Sequence, residues 1–555
     1  MAKKTNFVDE IYGYALKNAI EFGKTDTSKV LPKLFQHGLN KKDVGKIIPK
    51  IQETVDKINS WDANLRNLQY GKYKKYIIEH EISERVGLPE LPNVKGKPVF
   101  RVAPFPSGAL HLGNARTFLL NAMYAEKYNG KVILVMDDTI GSAKKPITPE
   151  AYGLIKDALK WLGVEYDKKI IYKSDRLEIY YKYAKELIKK DKAYVCHCPQ
   201  KWLQQLRVQG KECGCRQFPV SIQLLRWEAM FDAKEGEATL RLKTDMKHPN
   251  PAFRDRVLFK VSQREHPRKK NKYRVWPALE MSWAIDDHLL GITHIIRGND
   301  LSIESEMEKY IWDIFGWTHP IIVHLGLVNV DTSEAKMSKS KAQREVQSGK
   351  FIGWDDPRTW SVQSLMRRGI LKEAVREFVR EIGITKQDVT IPIDSLYAAN
   401  RRMIDAHALR YFFVENGRKI EVDGKPEFIE VGIPVHPEKD ERRVVRVDKS
   451  IYISKEDFDK YQGEEVRLLH LYNINLGKES EVTSVENKDI PKIQWVSDSV
   501  SASVMMPSGK MAMGLAESGV KKLKKGDLIQ FERFGFVRFD GKNKDGTYEF
   551  WFAHK

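Results

Sequence analysis

The spacing of apolar and polar positions changes several times along the chain, and each change marks a boundary. In residues 1–95, DEIYGYALKNAIEFG and VGKIIPKIQETVDKINSW carry apolar side chains every three or four residues, which predicts an N-terminal helical domain. Gly96 and Pro98 then punctuate the chain. Over residues 96–194 the continuous apolar runs VFRVAPF and KVILVMDD read as buried strands. They alternate with the helical patterns ARTFLLNAMYAEKYNG and PEAYGLIKDALKWLGV, the second entered through Thr148 and Pro149. Such alternation predicts an α/β domain with a parallel sheet. Residues 195–275 are charge-rich and read as an insertion, ending in REHPRKKNKYR. The alternation resumes over 276–330, where the strands ITHIIRG and PIIVHLGLV flank the helix SEMEKYIWDIFGW. Residues 331–410 hold a lysine- and serine-rich loop and a helical region. From 411 to 555, segments such as RRVVRVDKSIYISK, LIQFERFGFVRFD and TYEFWFA place β-branched and aromatic residues between turn signals, which predicts antiparallel barrels or sandwiches.

In a parallel α/β sheet, ligands bind at the carboxyl ends of the strands. That is where PSGALHLGN and the pair Asp137–Asp138 fall. Glycine there admits a phosphate close to the backbone, and a helix N-terminus favours anions. His111, Gly113 and Asn114 are therefore candidates for phosphate binding, although a turn histidine without function is the commoner explanation of so short a motif. A second motif, EAKMSKSK from Glu334 to Lys341, clusters lysines and serines on a loop that could close over a triphosphate. The alternative is a solvated basic loop.

Composition narrows the partners. Lys and Arg number 94 against 75 Asp and Glu, a formal charge of +19 in 555 residues. That excess points to a polyanion or an anionic membrane surface. No apolar run approaches the ~18 residues of a membrane span, and MAKKTNFVDE has no apolar secretory segment, so a cytoplasmic protein is expected. All four cysteines lie within one short segment: Cys196, Cys198, Cys213 and Cys215. Two C-x-C pairs offer four thiolates to a tetrahedral zinc, with His197 expected to be a neighbour. Two disulfides or four unrelated thiols are the alternatives. A reducing cytoplasm weighs against the first, and confinement to one segment against the second.

HLGN at 111–114 and KMSKS at 336–340 resemble the two signature sequences of class I aminoacyl-tRNA synthetases. The longer strings FRVAPFPSGALHLGNARTFLLN, AIDDHLLGITHIIRGND, GKFIGWDDPRTWSVQSLMRRGI, NRRMIDAHALRYFFVEN and QFERFGFVRFD are similar to the glutamyl/glutaminyl branch, in its archaeal glutamyl form. The resemblance implies a multidomain α/β fold. Its parts are a Rossmann-like catalytic domain, a zinc-containing acceptor-binding insertion, a helical stem-contact region and C-terminal β-barrels that bind the anticodon. It implies ATP-dependent activation of L-glutamate with Mg²⁺, then transfer to tRNA(Glu), with tRNA(Gln) left open, by a protein expected to be a monomer that binds no membrane. His111, Asn114, Lys336 and Lys339 would be catalytic, with Gly113, Met337 and Ser338 completing the ATP site.

Amino-acid binding would fall to Arg101, Ala103, Asp137 and Arg297. An arginine fork can grip a side-chain carboxylate, although ordinary surface or phosphate contacts are the alternative for either arginine. In the family the position of Arg297 separates glutamate from glutamine enzymes, which disfavours a glutaminyl ligase here; a non-catalytic tRNA-binding paralogue is the other alternative. The chain departs from the family at Phe105, Asp137, Ile140 and Leu279, and Phe105 and Leu279 make the pocket more apolar. Basic stretches Arg268–Lys270 and Lys521–Lys525 are expected to touch RNA phosphates, or else to be solvated faces.

Overall fold

A computed structural model describes residues 7–39, 43–77, 87–140, 145–331, 339–424 and 428–555. Contacts divide the chain into two compact units between residues 86 and 87. The first contains helices α1 (Val8–Phe22), α2 (Thr27–Leu34), α3 (Val44–Asn59) and α4 (Ala63–Tyr73). Their apolar stripes meet in a core of Ile11, Leu16, Val30, Leu34, Ile51, Val55 and Ile58. Polar residues fix the turns: Asp26 and Asp62 cap α2 and α4, and Asn59 exchanges two hydrogen bonds with the Thr25 backbone.

The second unit begins at Gly87, nine residues before the expected boundary at 96. Leu91 explains this placement. It is buried in the α/β core, and its N–H donates to the Tyr128 hydroxyl (2.8 Å). The sheet is built from β1 (Val99–Val102), β2 (Lys131–Met136) and β3 (Ile171–Tyr172), all parallel, with α5 (Leu112–Lys127), α6 (Pro149–Trp161) and α7 (Leu177–Lys189) between and after them. Along β2, Val132, Leu134 and Met136 enter one hydrophobic core while Ile133 and Val135 enter another. A strand buried on both faces has to read as a continuous apolar run, which is what KVILVM is.

The chain then leaves this sheet. β4 (Ala193–Cys196), α8 (Gln200–Gln209), α9 (Val220–Ala229), β5 (Thr239–Leu242), β6 (Val257–Val261) and β7 (Val275–Pro277) make a four-stranded antiparallel insertion. Its sheet spans 193–277 rather than 195–275, because β4 and β7 each extend two residues past the charged stretch, into apolar sequence. After α10 (Leu279–Leu289) the parallel pattern returns with β8 (His294–Gly298), α11 (Ser302–Phe315) and β9 (Ile321–Leu325). The Thr293 N–H donates to the Val99 carbonyl (2.9 Å), so β8 lies beside β1. The order is thus β3-β2-β1-β8-β9, and the chain changes direction between β1 and β8. A crevice opens at such a switch point, at the carboxyl ends of the strands.

Beyond it, β10 (Val328–Asp331) pairs in parallel with β11 (Val389–Pro392) around helices α12 (Lys339–Gln347), α13 (Val362–Arg368) and α14 (Lys372–Ile382), and α15 (Asp394–Ile404) follows. The remainder is mainly β structure from Leu409, two residues before the expected boundary, with one short helix at Lys455–Tyr461. A seven-stranded sheet has Leu409–Tyr411 at one end and Phe413–Glu415 at the other, and Phe412 alone joins them. One connecting residue forces the sheet to curl closed, so this is a barrel. A six-stranded sheet within residues 417–496 closes likewise: Tyr452 and Val496 exchange backbone hydrogen bonds of 2.7 and 2.9 Å. Among the described residues no helix is long and apolar enough to cross a membrane.

Arg368 binds the helical region to the last strand. It is fully buried and donates to the carbonyls of Phe552 (3.0 Å) and Ala553 (2.7 Å) and to the Tyr397 hydroxyl (2.9 Å). Arg368→Met should leave these acceptors dry and unpaired, lowering stability by about 2–4 kcal/mol in denaturant titrations; an unchanged midpoint would contradict this role.

Candidate active site

His111 is the N-cap of α5, and its Nδ1 accepts the Gly113 N–H (3.1 Å), which leaves the proton of the neutral ring on Nε2. The loop before it is held on several sides. The Leu110 carbonyl accepts from Val362 N–H (2.8 Å), the Pro104 carbonyl from Asp137 N–H (3.0 Å), and the Pro106 carbonyl from Thr148 N–H (3.0 Å). Gly108 has φ +142°, and a Cβ there would lie 2.4 Å from the Trp354 ring, so only glycine fits. Ala109, Trp354 and Ala342 of α12 form a small apolar cluster that docks α12 against this loop. The start of α5 thus lines a cavity of about 1160 Å³, and a helix N-terminus is an environment that favours anions.

Arg101, Ala103, His111, Gly113, Asn114, Asp137 and Arg297, far apart in the sequence, all line this one cavity. Phe105 and Leu279 line it too, as expected. Ile140 does not; it is buried in the core with Ile133 and Val135. Of the second signature, Lys336, Met337 and Ser338 lie outside the described residues, and Lys339 opens α12.

Three of the charged lining residues, Arg101, Asp137 and Arg297, belong to buried ion pairs. Arg101 donates from Nε and Nη2 to Asp287 (2.5 and 3.1 Å). Arg297 donates from Nη1 and Nη2 to the two oxygens of Glu308, the first at 2.9 Å. Lys173, fully buried, lies 3.0 Å from Asp137 and donates to Ser282 Oγ (2.8 Å). Arg101 and Lys173 sit 3.5 and 3.4 Å from the centroid of Trp283, and two groups so close to one ring must occupy opposite faces. Burial lowers the Arg297 and Lys173 pKa values from their ordinary ranges, and it pushes Glu308 up to about 7. The two arginines expected to wait for a substrate carboxylate are therefore each already held by an internal one.

Gly326–Val330 also line the cavity. Arg116, whose pKa burial lowers to about 10, donates to the carbonyls of Gly326 and Gly383 (2.9 Å each) and to Thr385 Oγ1 (2.9 Å). A Cβ on Gly326 would fall 2.1 Å from the Gln387 carbonyl oxygen. Glycine thus lets two segments meet there, and Arg116 clamps them.

In the sequence, Trp283, Asp287, Glu308, Lys173 and Arg116 look like ordinary members of their helices and strands. The one signal was chemical: the Asp286–Asp287 pair interrupts an apolar helix, where a carboxylate needs a partner. Asp286 has one, accepting from Arg176 Nε (2.7 Å) and the Tyr180 hydroxyl (2.6 Å). The stretch expected to touch RNA or to be solvated is paired internally: Arg268 binds Asp138, Ser174 and Asp175 and stacks on Tyr172, and Lys269 pairs with Asp175 (2.5 Å). Asp138 is fully buried and needs these donors.

The four cysteines converge in the insertion, their sulfurs all within 4.8 Å of one another. Cys196 and Cys213 are 3.8 Å apart, and Cys198 and Cys215 3.7 Å. These are not disulfide distances; all four are free thiols. A tetrahedral zinc with bonds of about 2.3 Å needs sulfurs about 3.8 Å apart. The Arg226 guanidinium, 3.3 Å from the Cys215 sulfur, suits a negatively charged cluster, and His197 is outside the set. The residues fit zinc, and four protein ligands leave no open position. Purified protein should carry about one zinc per chain, and Cys213→Ser should lower the bound metal and the thermal stability of the insertion together. Wild-type protein that emerges metal-free from metal-replete expression would refute the site.

Comparison with known proteins completes the picture. Residues 98–406 match the family model of class I tRNA synthetases (E and Q), catalytic domain. Residues 408–494 and 492–540 match two anticodon-binding domain models of the same class. The glutamate–tRNA ligase of Pyrococcus abyssi is 43% identical over 95% of this chain and 96% of its own length. Those of Pyrococcus horikoshii and Methanothermobacter marburgensis are 42% and 37% identical, over 98% and 99% of either chain. The cavity with its HLGN loop, the split parallel sheet and the paired barrels are the parts of one recognised machine: the chain belongs to the glutamyl/glutaminyl class I aminoacyl-tRNA synthetases.

Proposed function

We propose that this protein is a glutamate–tRNA ligase that joins L-glutamate to ATP and passes the glutamyl group to the 3′ end of tRNA(Glu). One observation carries the reading. A single cavity is lined both by the HLGN loop and by Arg101 and Arg297, a combination that suits a nucleotide phosphate beside a dicarboxylic amino acid. The relatives named above are all glutamate–tRNA ligases.

In the first step the glutamate α-carboxylate attacks the α-phosphorus of ATP, and the bond to pyrophosphate breaks. Little covalent work falls to the protein; positioning and charge neutralisation do most of it. His111 Nε2–H and Asn114 would donate to phosphate oxygens as charge builds on them. Gly113 would let the nucleotide lie against the backbone. Lys339, with Lys336 and Ser338, would hold the departing pyrophosphate, and Met337 would pack beside the nucleotide. Mg²⁺, when bound, supplies further neutralisation across the phosphates. Asp137, fixed by Lys173, would receive the substrate ammonium, with Ala103 leaving room beside it. In the second step the terminal ribose hydroxyl of the tRNA attacks the glutamyl carbonyl and AMP leaves. The zinc would staple the insertion that meets the acceptor end, while the barrels would read splayed anticodon bases. The excess of positive charge supplies salt-sensitive attraction to the RNA backbone, to which Lys521–Lys525 would contribute.

Charging assays with glutamate and glutamine in parallel test this directly. Glutamate should be transferred at least about a hundredfold more efficiently, as a discriminating carboxylate site demands; equal or reversed preference would overturn the reading. Lys339→Ala should slow adenylate formation about a hundredfold or more while tRNA affinity changes less than about threefold, as for a group that acts only in the transition state. Equal loss of both would remove the loop from the catalytic machinery.

A further inference from the structure

An arginine offers five N–H donors, and a carboxylate that takes two of them leaves three. Asp287 engages Arg101 along the Nε–Nη2 side, so the Nη1–Nη2 end of Arg101 remains. Glu308 engages Arg297 at the Nη1–Nη2 end, so its Nε side remains. Arg297 is 4% exposed, and its Nε is buried without a partner in the wall of the cavity. A buried donor without an acceptor is costly, and a substrate carboxylate is the acceptor that the cavity lacks.

Charge sharpens the point. Arg101, Lys173 and Arg297 are balanced one for one by Asp287, Asp137 and Glu308. The substrate's ammonium would be met at Asp137, but its side-chain carboxylate would share Arg297 with Glu308, setting two carboxylates on one guanidinium. Two carboxylates so placed favour a proton on one of them. Glu308 is the candidate. It is wholly buried on α11 and faces Arg297 on β8, Arg101 on β1, Asp287 on α10 and Lys173 after β3. Beside the pair, His324 on β9 is held by Ser305, and Glu304 is occupied by Arg256.

We propose that Glu308 is a specificity-setting residue of the amino-acid pocket: it fixes Arg297 in the empty site and takes up one proton from solvent when the substrate's side-chain carboxylate binds. This rests on the glutamate reading above and names how that pocket accepts its charge. Burial first, and then Asp287, bring Glu308 to about 7, against the pull of Arg297, Arg101 and Lys173, so a proton is accessible at neutral pH. The sign follows from linkage. Binding favours protonated Glu308, so glutamate affinity falls as pH rises through that region. A neutral amide side chain needs no such proton, so glutamine would show no such dependence.

The test is tRNA charging by the full-length enzyme, with KM for glutamate measured between pH 6.5 and 8.5. In the wild type KM should rise roughly ten- to thirtyfold across that range, as one linked proton requires, while kcat moves much less. Glu308→Gln keeps a hydrogen-bond acceptor for Arg297 but cannot titrate. Its KM should be flat with pH and lower than that of the wild type at pH 8.5. A second readout needs no variant: calorimetric binding of glutamate in buffers of different ionisation enthalpy should show uptake of about one proton at pH 8. A slope that survives in Glu308→Gln, or glutamate binding without proton uptake, would overturn the inference and leave the ligase assignment standing. Failure to charge or bind glutamate at any pH would overturn both.

Discussion

The buried ion pairs at the carboxyl ends of β1 and β8 are the constraint on which the rest of the site depends. An ionised group taken from water into a protein interior must find a partner there, and removing one member of such a pair typically costs about 3–5 kcal/mol. Arg101, Lys173, Arg297, Asp137, Asp287 and Glu308 are all nine-tenths or more buried. Each pair joins two different elements: β1 to α10, β2 to the segment after β3, β8 to α11. Arg101–Asp287, with the Lys173 donation to Ser282, braces the two halves of the split sheet against each other, while the other two pairs tie elements within one half. Trp283, between Arg101 and Lys173, keeps water from their faces and couples the first two pairs into one unit.

The loop that carries HLGN is held by groups from later in the chain. Trp354 fills the space beside Gly108, Val362 donates to Leu110, and α12 packs on Ala109 through Ala342. The same segment reaches the C-terminal barrel, because Arg367 bridges Asp355 and Asp540, both near 2.7 Å. A continuous path of packed and paired groups therefore runs from the barrel to the HLGN loop. Rigidity there suits chemistry that relies on placement rather than covalent participation.

Most of the fold was legible because burial leaves a simple signature. KVILVM reads as a doubly buried strand and became one; the α1 and α3 stripes read as amphipathic helices and became them. Boundaries slipped where local sequence and tertiary packing disagree. Leu91 lies in what looks like an extension of the helical region, but the α/β core claims it. The two barrels could not be told apart along the chain, since Phe412 is the only residue between strands at opposite ends of one sheet while the other barrel is inserted after it.

The sequence by itself determined which chemistry was present: a phosphate-binding turn, a lysine-rich loop, a thiol cluster and arginines at strand ends. These are set by residue type and short spacing, which survive in one dimension. Tertiary structure alone decided who partners whom. Nothing in the sequence marks Lys173 or Glu308, since a lone charged residue in an amphipathic stretch is most often solvated, and Arg268 reads as an RNA contact or a solvated face. Instead, Lys173 and Glu308 are buried and paired with the cavity-lining Asp137 and Arg297, and Arg268 binds Asp138. The pairings join positions 11, 36, 130 and 186 residues apart. No periodicity encodes such separations; only the closing of the sheet around its switch point brings the charges within reach.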